Sequence, residues 1–256
     1  MTIDPGFCPA VPRPRQVHVP RRPDRQRSSR RAYDMLRSYL REVQPGQRIL
    51  DEHVAALFNT SRGSVRYAMH ALVEEGVLTR APRVGTTLAG QTMKVGLDEL
   101  TAVSLTDERG RPRLHCSRLT HKIIPAAPYV QDRLESRAPR IQLIETLVEL
   151  DGSPVSVREA YLSESVDREA ITDDIEELEP VVERIFGEAV GEIESAIESI
   201  SCSEQTAASL GVAPGSPLLL RETLIRGASG RPLILNFTQY RGDRVTLVSL
   251  NPRRSS

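Results

Sequence analysis

The sequence predicts an α+β fold, in which a small helical unit with a terminal hairpin precedes a larger domain built on a mainly antiparallel sheet. Two observations predict this division. Apolar residues recur at helical spacing between residues 30 and 76, whereas strand-like runs alternate with short helices beyond residue 113. The charge also changes: residues 1–94 hold sixteen Lys and Arg against eight Asp and Glu, and residues 95–256 hold eighteen against twenty-six. This asymmetry indicates a polyanionic partner for the first part only.

The first segment, residues 1–28, is predicted to be a disordered basic tail. Six prolines between Pro5 and Pro23 exclude a helix, and the segment has almost no apolar content to form a core. Its arginines suit contact with DNA phosphates. A solvated tail without a DNA contact is the alternative.

Residues 29–90 are predicted to form a winged helix-turn-helix DNA-binding domain. Three amphipathic helices are expected to begin at Arg30, Asp51 and Ser61. The charges of Asp51 and Glu52 suit the N-terminus of the second helix, and Ser61 is expected to cap the third. The third helix ends before Gly76, and two short strands then flank a turn over residues 81–85. Three helices followed by a hairpin are the order of a winged helix-turn-helix.

The third helix, residues 61–75, is the predicted recognition helix. Its exposed N-terminal face is expected to carry Arg62, Ser64 and Arg66, which are residue types that reach guanine edges and phosphates. The hairpin turn adds Arg83 at the tip of the wing. Three-helix cores without a DNA function also exist, but the basic face, the wing and the local charge excess together favour DNA binding.

A turn-rich linker is predicted over residues 91–112, and residues 113–256 are predicted to form the sheet domain. Strands are expected at residues 114–124, 141–150, 155–162, 192–201, 218–226, 232–240 and 244–250, and helices at 128–134, 178–186 and 203–210. Ser203 is expected to cap the last of these helices and Gly211 to end it. This mixture predicts an α+β domain.

The sheet domain shows no constellation typical of an enzyme, a metal site or a cofactor site, such as a glycine-rich phosphate loop or a nucleophile elbow. His115 and His121 lie six residues apart on one predicted strand, and are interpreted as ordinary polar residues on the same side of it. The three cysteines are widely spaced and odd in number, which favours a reduced cytoplasm over a disulfide framework or a zinc site. No run of eighteen apolar residues occurs, so no membrane-spanning helix is expected.

Six polar residues on predicted strands are candidates for lining a ligand cleft, because their alternate neighbours are apolar. They are Arg118, Glu145, Arg158, Tyr161, Glu222 and Tyr240. The alternative for each of them is a position on an ordinary solvated sheet face.

Several motifs resemble those of one family, in the right order along residues 30–250. The segments SRGSVR (residues 61–66) and LVEEG (72–76) are similar to the family's recognition helix, and Gly85-Thr86 to the end of its wing. The segments SEQTAASLGV (203–212), PGSPL (214–218) and YRGDR (240–244) are similar to its second domain. The chain thus resembles a GntR-family transcription regulator of the HutC subfamily, with a C-terminal UTRA effector domain.

This resemblance implies that residues 113–256 form a chorismate-lyase-like domain that binds a small-molecule effector and makes a homodimer. It further implies a cytoplasmic repressor of a pseudo-palindromic operator in double-stranded DNA. It adds Gly85 and Thr86 to the DNA-binding residues and places Arg158 and Tyr161 on a ligand-contacting strand. The alternatives are a DNA-binding protein without ligand control and a lyase-like enzyme.

The resemblance also bears on the effector. Members that bind sugar phosphates have two arginines where this chain has Thr146 and Val148. We therefore expect simple sugar phosphates to bind poorly, and a different metabolite, with one carboxylate for Arg158, to be the effector.

Overall fold

The computed structural model describes residues 24–44, 46–90, 92–97, 113–163 and 178–249. Most of the predicted tail (1–23) and most of the predicted linker (98–112) lie outside the described residues. No helix within these ranges is long and apolar enough to cross a bilayer.

Three helices open the described chain: α1 (Asp24–Tyr39), which continues into a 3₁₀ turn, α2 (Asp51–Leu57) and α3 (Arg62–Glu74). The start of α1 precedes the predicted start at Arg30, because Pro23 is the last proline and helices tolerate proline at their N-terminal boundary. The predicted end of the tail at residue 28 therefore lies inside α1. Leu36 and Leu72 are fully buried in these helices.

The start of α3 and the hairpin that follows this helix agree with the sequence prediction. The backbone N–H of Ser64 donates to Ser61 Oγ over 3.1 Å, which confirms the predicted cap of α3. Strands β1 (Leu78–Ala81) and β2 (Gly85–Leu88) then pair antiparallel.

The larger sheet contains the strands β4 (Leu114–Pro125), β5 (Arg140–Leu150), β6 (Ser153–Leu162), β7 (Val190–Ser201), β8 (Pro217–Gly227) and β9 (Pro232–Arg241). These six strands are antiparallel and follow the order β4-β5-β6-β9-β8-β7. Three helices connect them: α4 (Pro128–Arg133), α5 (Leu178–Phe186) and α6 (Glu204–Leu210). Ser203 caps α6 through the N–H of Thr206, and Gly211 ends it in the left-handed conformation, as predicted.

A two-stranded ribbon adds a feature that the sequence analysis missed. Strand β3 (Met93–Gly96) lies inside the predicted linker and pairs in parallel with β10 (Val245–Val248). The last predicted strand therefore forms, but it pairs with β3 outside the six-stranded sheet. Four residues are too short to show a strand period, and their partner is about 150 residues away in the chain.

The register of the six-stranded sheet assigns each side chain to one of two faces, since directly paired residues share a face and neighbours along a strand alternate. On the α5 face, α5 packs at one end, against Ile144, Ala160 and Ile225 among others, and the β3–β10 ribbon packs at the other end, against Val148 and Tyr240. On the opposite α4 face, α4 and α6 cover the apolar side chains. The two faces therefore carry different sets of the predicted ligand residues.

A bulge in β4 overturns the expectation for the two histidines. The register shifts by one residue between Arg118 and Thr120. His115 pairs with Glu149 and His121 with Ile144, positions of opposite parity on β5. The two histidines therefore lie on opposite faces, because one extra residue inverts the alternation beyond it.

Candidate DNA-binding and effector sites

Both predicted arginines of the recognition helix are exposed at its start. The side chains of Arg62 and Arg66 are 65% and 71% exposed. Each is paired with a carboxylate from the start of α2: Arg62 Nη1 lies 3.1 Å from Glu52 Oε1, and Arg66 Nε donates to Asp51 Oδ2 over 3.2 Å. Sequence reasoning placed Asp51 and Glu52 only as favourable charges at a helix start, and missed these pairs.

Ser64, the third predicted residue of this helix, is not on the exposed face. It is only 6% exposed, and its hydroxyl lies 3.0 Å from Ser61 Oγ and 3.0 Å from Ser28 Oγ on α1. Its position three residues after the cap turns it toward the inside of the helical unit. The expectation of an exposed Ser64 is therefore wrong, and its hydroxyl serves the packing of α1 against α3.

The residues predicted to contact DNA from the wing differ in their exposure. Arg83 is exposed at the tip with a φ of 65°, in the left-handed region, whereas Thr86 is 4% exposed. Gly85 has a φ of 93°, and a Cβ on it would lie 2.6 Å from Nε of Arg48. Arg48 is an exposed cation that no sequence signal connects with the wing, because the contact depends on the fold.

A row of polar side chains crosses the α5 face between α5 and the ribbon. The registers align Arg118, Thr146, Arg158, Thr238 and Arg221 on five neighbouring strands. We call these five residues the polar row. Next to it, on the same face, lie the buried polar side chains of Ser156, Thr223 and Asn236. A polar strip between two apolar ends is the composition expected of a small-molecule site.

Two arginines of the polar row differ in their hydrogen bonding. Nε of Arg158 is buried and has no hydrogen-bond partner within the described part of the chain. Arg221, in contrast, is 1% exposed and fully engaged: Nη1 donates to the carbonyl of Gly96 over 3.1 Å, and Nη2 donates to the carbonyl of Leu97. Its Nε and Nη2 also donate to Ser195 Oγ over 3.3 and 3.0 Å. Arg221 thus fixes the end of β3 to the sheet, while Nε of Arg158 can donate a hydrogen bond to a further partner.

The six predicted ligand residues divide between the two faces. Arg118, Arg158 and Tyr240 lie on the α5 face, and Glu145, Tyr161 and Glu222 lie on the α4 face. A cleft on one face of this sheet can therefore be lined by at most three of the six residues. The sequence could not separate them, because the face of a strand residue depends on register and bulges.

Two of the three predicted residues on the α4 face, Glu222 and Tyr161, contact neighbouring side chains. Glu222 pairs with Arg133 of α4 at 2.8 Å, and Tyr161 donates to Glu159 over 3.1 Å. Burial, followed by the nearby Glu159 and Glu145 carboxylates, raises the pKa of Tyr161 to about 12. The phenol therefore stays protonated as a donor at neutral pH. The contact between Glu222 and Arg133 ties β8 to α4.

The three helices, the paired hairpin and the sheet domain with its polar row define a DNA-binding regulator with a ligand-binding domain. Comparison with known families agrees: residues 28–88 match the bacterial regulatory proteins of the gntR family, and residues 110–246 match the UTRA domain. The chain belongs to the GntR family of transcription regulators that carry a UTRA effector-binding domain. This confirms the family resemblance, and the chain is a regulator and not an enzyme.

Individual relatives agree with this assignment. The chain is 26% identical over 225 residues to the HTH-type transcriptional repressor NagR of Bacillus subtilis, covering 84% of this chain and 89% of that protein. The crystal structure of PhnF from Mycobacterium smegmatis superposes with a TM-score of 0.55 at 18% identity, covering 87% of this chain and all of the other. The possible transcriptional regulator YydK of Bacillus subtilis gives 0.51 at 16% identity, covering 88% and 99%. These structures support the predicted α+β fold.

Proposed function

We propose that the protein is a cytoplasmic, homodimeric repressor that binds a pseudo-palindromic operator and releases it when a small molecule occupies the polar row. The observation that carries the effector part is the buried Nε of Arg158, which has no partner in the described part of the chain. Burying a polar group without a hydrogen bond is costly, so an acceptor from a ligand is favoured there. The name of the related repressor NagR supports repression.

The polar row also limits the chemistry of the effector. Its members beside Arg158 include two threonines, Thr146 and Thr238, which offer hydroxyls and no charge. Arg118 also lies in the row and has an interaction of its own. Arg221 lies in the same row, but its donors are already used by backbone carbonyls and Ser195. We therefore infer a ligand with a single carboxylate for Arg158 and hydroxyl or amide groups for the threonines. A doubly charged phosphate ester would have fewer bidentate partners, because Thr146 and Val148 stand where members that bind sugar phosphates have two arginines.

The effector class is tested by thermal shift with a panel of carboxylic-acid metabolites, followed by calorimetry. A carboxylate that raises the unfolding midpoint is expected to bind at micromolar concentration, because a ligand that binds only the native state stabilises it by mass action. Glucosamine-6-phosphate and related sugar phosphates are expected to give no heat of binding. A micromolar dissociation constant for a sugar phosphate would contradict the proposed chemistry.

The position of the effector is tested with two variants on opposite faces. Arg158→Ala is expected to leave DNA binding intact and to abolish release of DNA by the carboxylate found in the panel. Tyr161→Phe, on the α4 face, is the matched control and is expected to keep the response. The ligand shifts the equilibrium only by its differential affinity for the two states, so loss of binding and loss of release should coincide. The opposite pattern would place the effector on the α4 face.

The assembly is a separate expectation. One recognition helix reads about half of a typical site, and a two-fold dimer places two such helices roughly 34 Å apart, one turn of DNA. We expect twice the chain mass by light scattering at micromolar concentration, with the sheet domain making most of the contact. A monomer under these conditions would rule out the dimer.

A further inference from the structure

The ion pairs at the start of α3 suggest a role that goes beyond DNA contact by the arginines. Arg62 and Arg66 each meet a carboxylate from consecutive residues of α2, Glu52 and Asp51. A carboxylate beside a DNA-contacting cation repels phosphate and lowers the attraction to DNA of any sequence. The presence of two carboxylates beside Arg62 and Arg66 is therefore not explained by affinity for DNA.

The two pairs differ in exposure. Asp51 is 19% exposed and accepts from Nε of Arg66, so the pair holds the base of the guanidinium group and leaves both terminal nitrogens for another acceptor. A guanidinium fixed in this way presents the two donors that suit the O6 and N7 acceptors of guanine. Glu52 is 72% exposed and meets a terminal nitrogen of Arg62, which is 65% exposed. An exposed pair of this kind is weak and exchanges readily for another partner.

We propose that Asp51 and Glu52 are specificity-determining residues: Asp51 positions Arg66 for a base contact, and Glu52 competes with DNA phosphate for Arg62. On an arbitrary sequence, the phosphate must displace Glu52 from Arg62 without a base contact in return. On the operator, the base contacts of the oriented arginines offset that displacement. The pair of carboxylates thus lowers binding to other DNA more than binding to the operator. This inference rests on the proposed DNA contact of α3.

A purely structural role predicts a different result. Carboxylates at a helix start stabilise the helix, and Leu50, which precedes α2, provides no side-chain cap. If that were their whole role, replacing them would lower thermal stability and weaken binding to all DNA equally. The ratio of operator affinity to non-operator affinity separates the two roles.

The experiment uses the full chain, an operator selected from a random duplex pool and a scrambled duplex of the same composition. Fluorescence anisotropy measures both affinities across a salt series. Glu52→Gln is expected to tighten binding to the scrambled duplex about tenfold. It is also expected to steepen the slope of log affinity against log salt concentration by the equivalent of about one phosphate contact. Asp51→Asn is expected to weaken operator binding about tenfold with little change for the scrambled duplex. Both variants lower the ratio, by opposite routes, and Asp51→Glu should restore part of it.

The matched control is Asp34→Asn, which removes one carboxylate from the exposed Arg30–Asp34 pair of α1 and is expected to leave the ratio unchanged. Thermal unfolding of each variant checks that α2 is intact. A ratio within twofold of the wild type in both Glu52→Gln and Asp51→Asn would overturn the inference, as would equal loss on both duplexes. The proposed function fails separately, if replacing Arg62 and Arg66 together changes neither affinity.

Discussion

The double variant Arg62→Ala and Arg66→Ala is expected to bind its operator at least thirtyfold more weakly than the wild type. Loss of one base-reading arginine costs about 1–3 kcal/mol, and a phosphate-contacting arginine costs affinity for all sequences. Both side chains are more than three-fifths exposed, so their removal leaves the core of the helical unit unchanged. Gel-shift titration with operator DNA measures the loss.

Two controls make this result specific. Arg30→Ala removes an exposed arginine of α1, in the same helical unit, and is expected to keep most of the operator affinity. Thermal unfolding should show the double variant to be folded. Unchanged operator affinity in the folded double variant would remove α3 from the DNA interface.

The second large effect concerns stability. Arg221→Ala is expected to lower the free energy of unfolding by about 3 kcal/mol or more, because it leaves two part-buried carbonyls and Ser195 Oγ without their donor. For a chain of this size, such a loss lowers the thermal midpoint by roughly 6–12 °C. In the variant, the rate of amide exchange should increase more in β3, whose end Arg221 holds, than in the central strands.

The companion variant Arg221→Met separates two causes. Methionine fills most of the volume of arginine but donates no hydrogen bond. A loss close to that of Arg221→Ala would assign the effect to the hydrogen bonds, and a much smaller one would assign it to the cavity. The exposed Arg137→Ala is the control and is expected to change stability by less than about 0.5 kcal/mol. A midpoint for Arg221→Ala within about 1 °C of the wild type would contradict a holding role for Arg221.

The local signals of the sequence predicted the elements well, because caps, turns and apolar spacing act over a few residues. Ser61, Ser203 and Gly211 mark helix ends that the structure confirms. The positions of strands β5 and β6 and of helices α4, α5 and α6 also agree within two residues. The same signals could not predict β3, whose partner lies at the far end of the chain.

The candidate sites were harder to predict, because they depend on which side chains share a face or a contact. The pairing of Arg62 with Glu52, and the approach of Arg48 to Gly85, join residues ten or more positions apart. A single bulge in β4 placed His115 and His121 on opposite faces. The polar row itself contains Thr146, which the sequence showed only as a missing arginine, and the buried Arg221, which it did not show.

We expect this chain to recognise a specific DNA sequence as a two-fold dimer. The most direct measurement is selection of binding sites from a random duplex pool by the full-length protein, followed by sequencing of the bound DNA. We expect enrichment of one motif with two inverted half-sites, whose centres are about one helical turn apart. Bound DNA with no enriched motif, or with a single half-site and no inverted partner, would contradict this expectation.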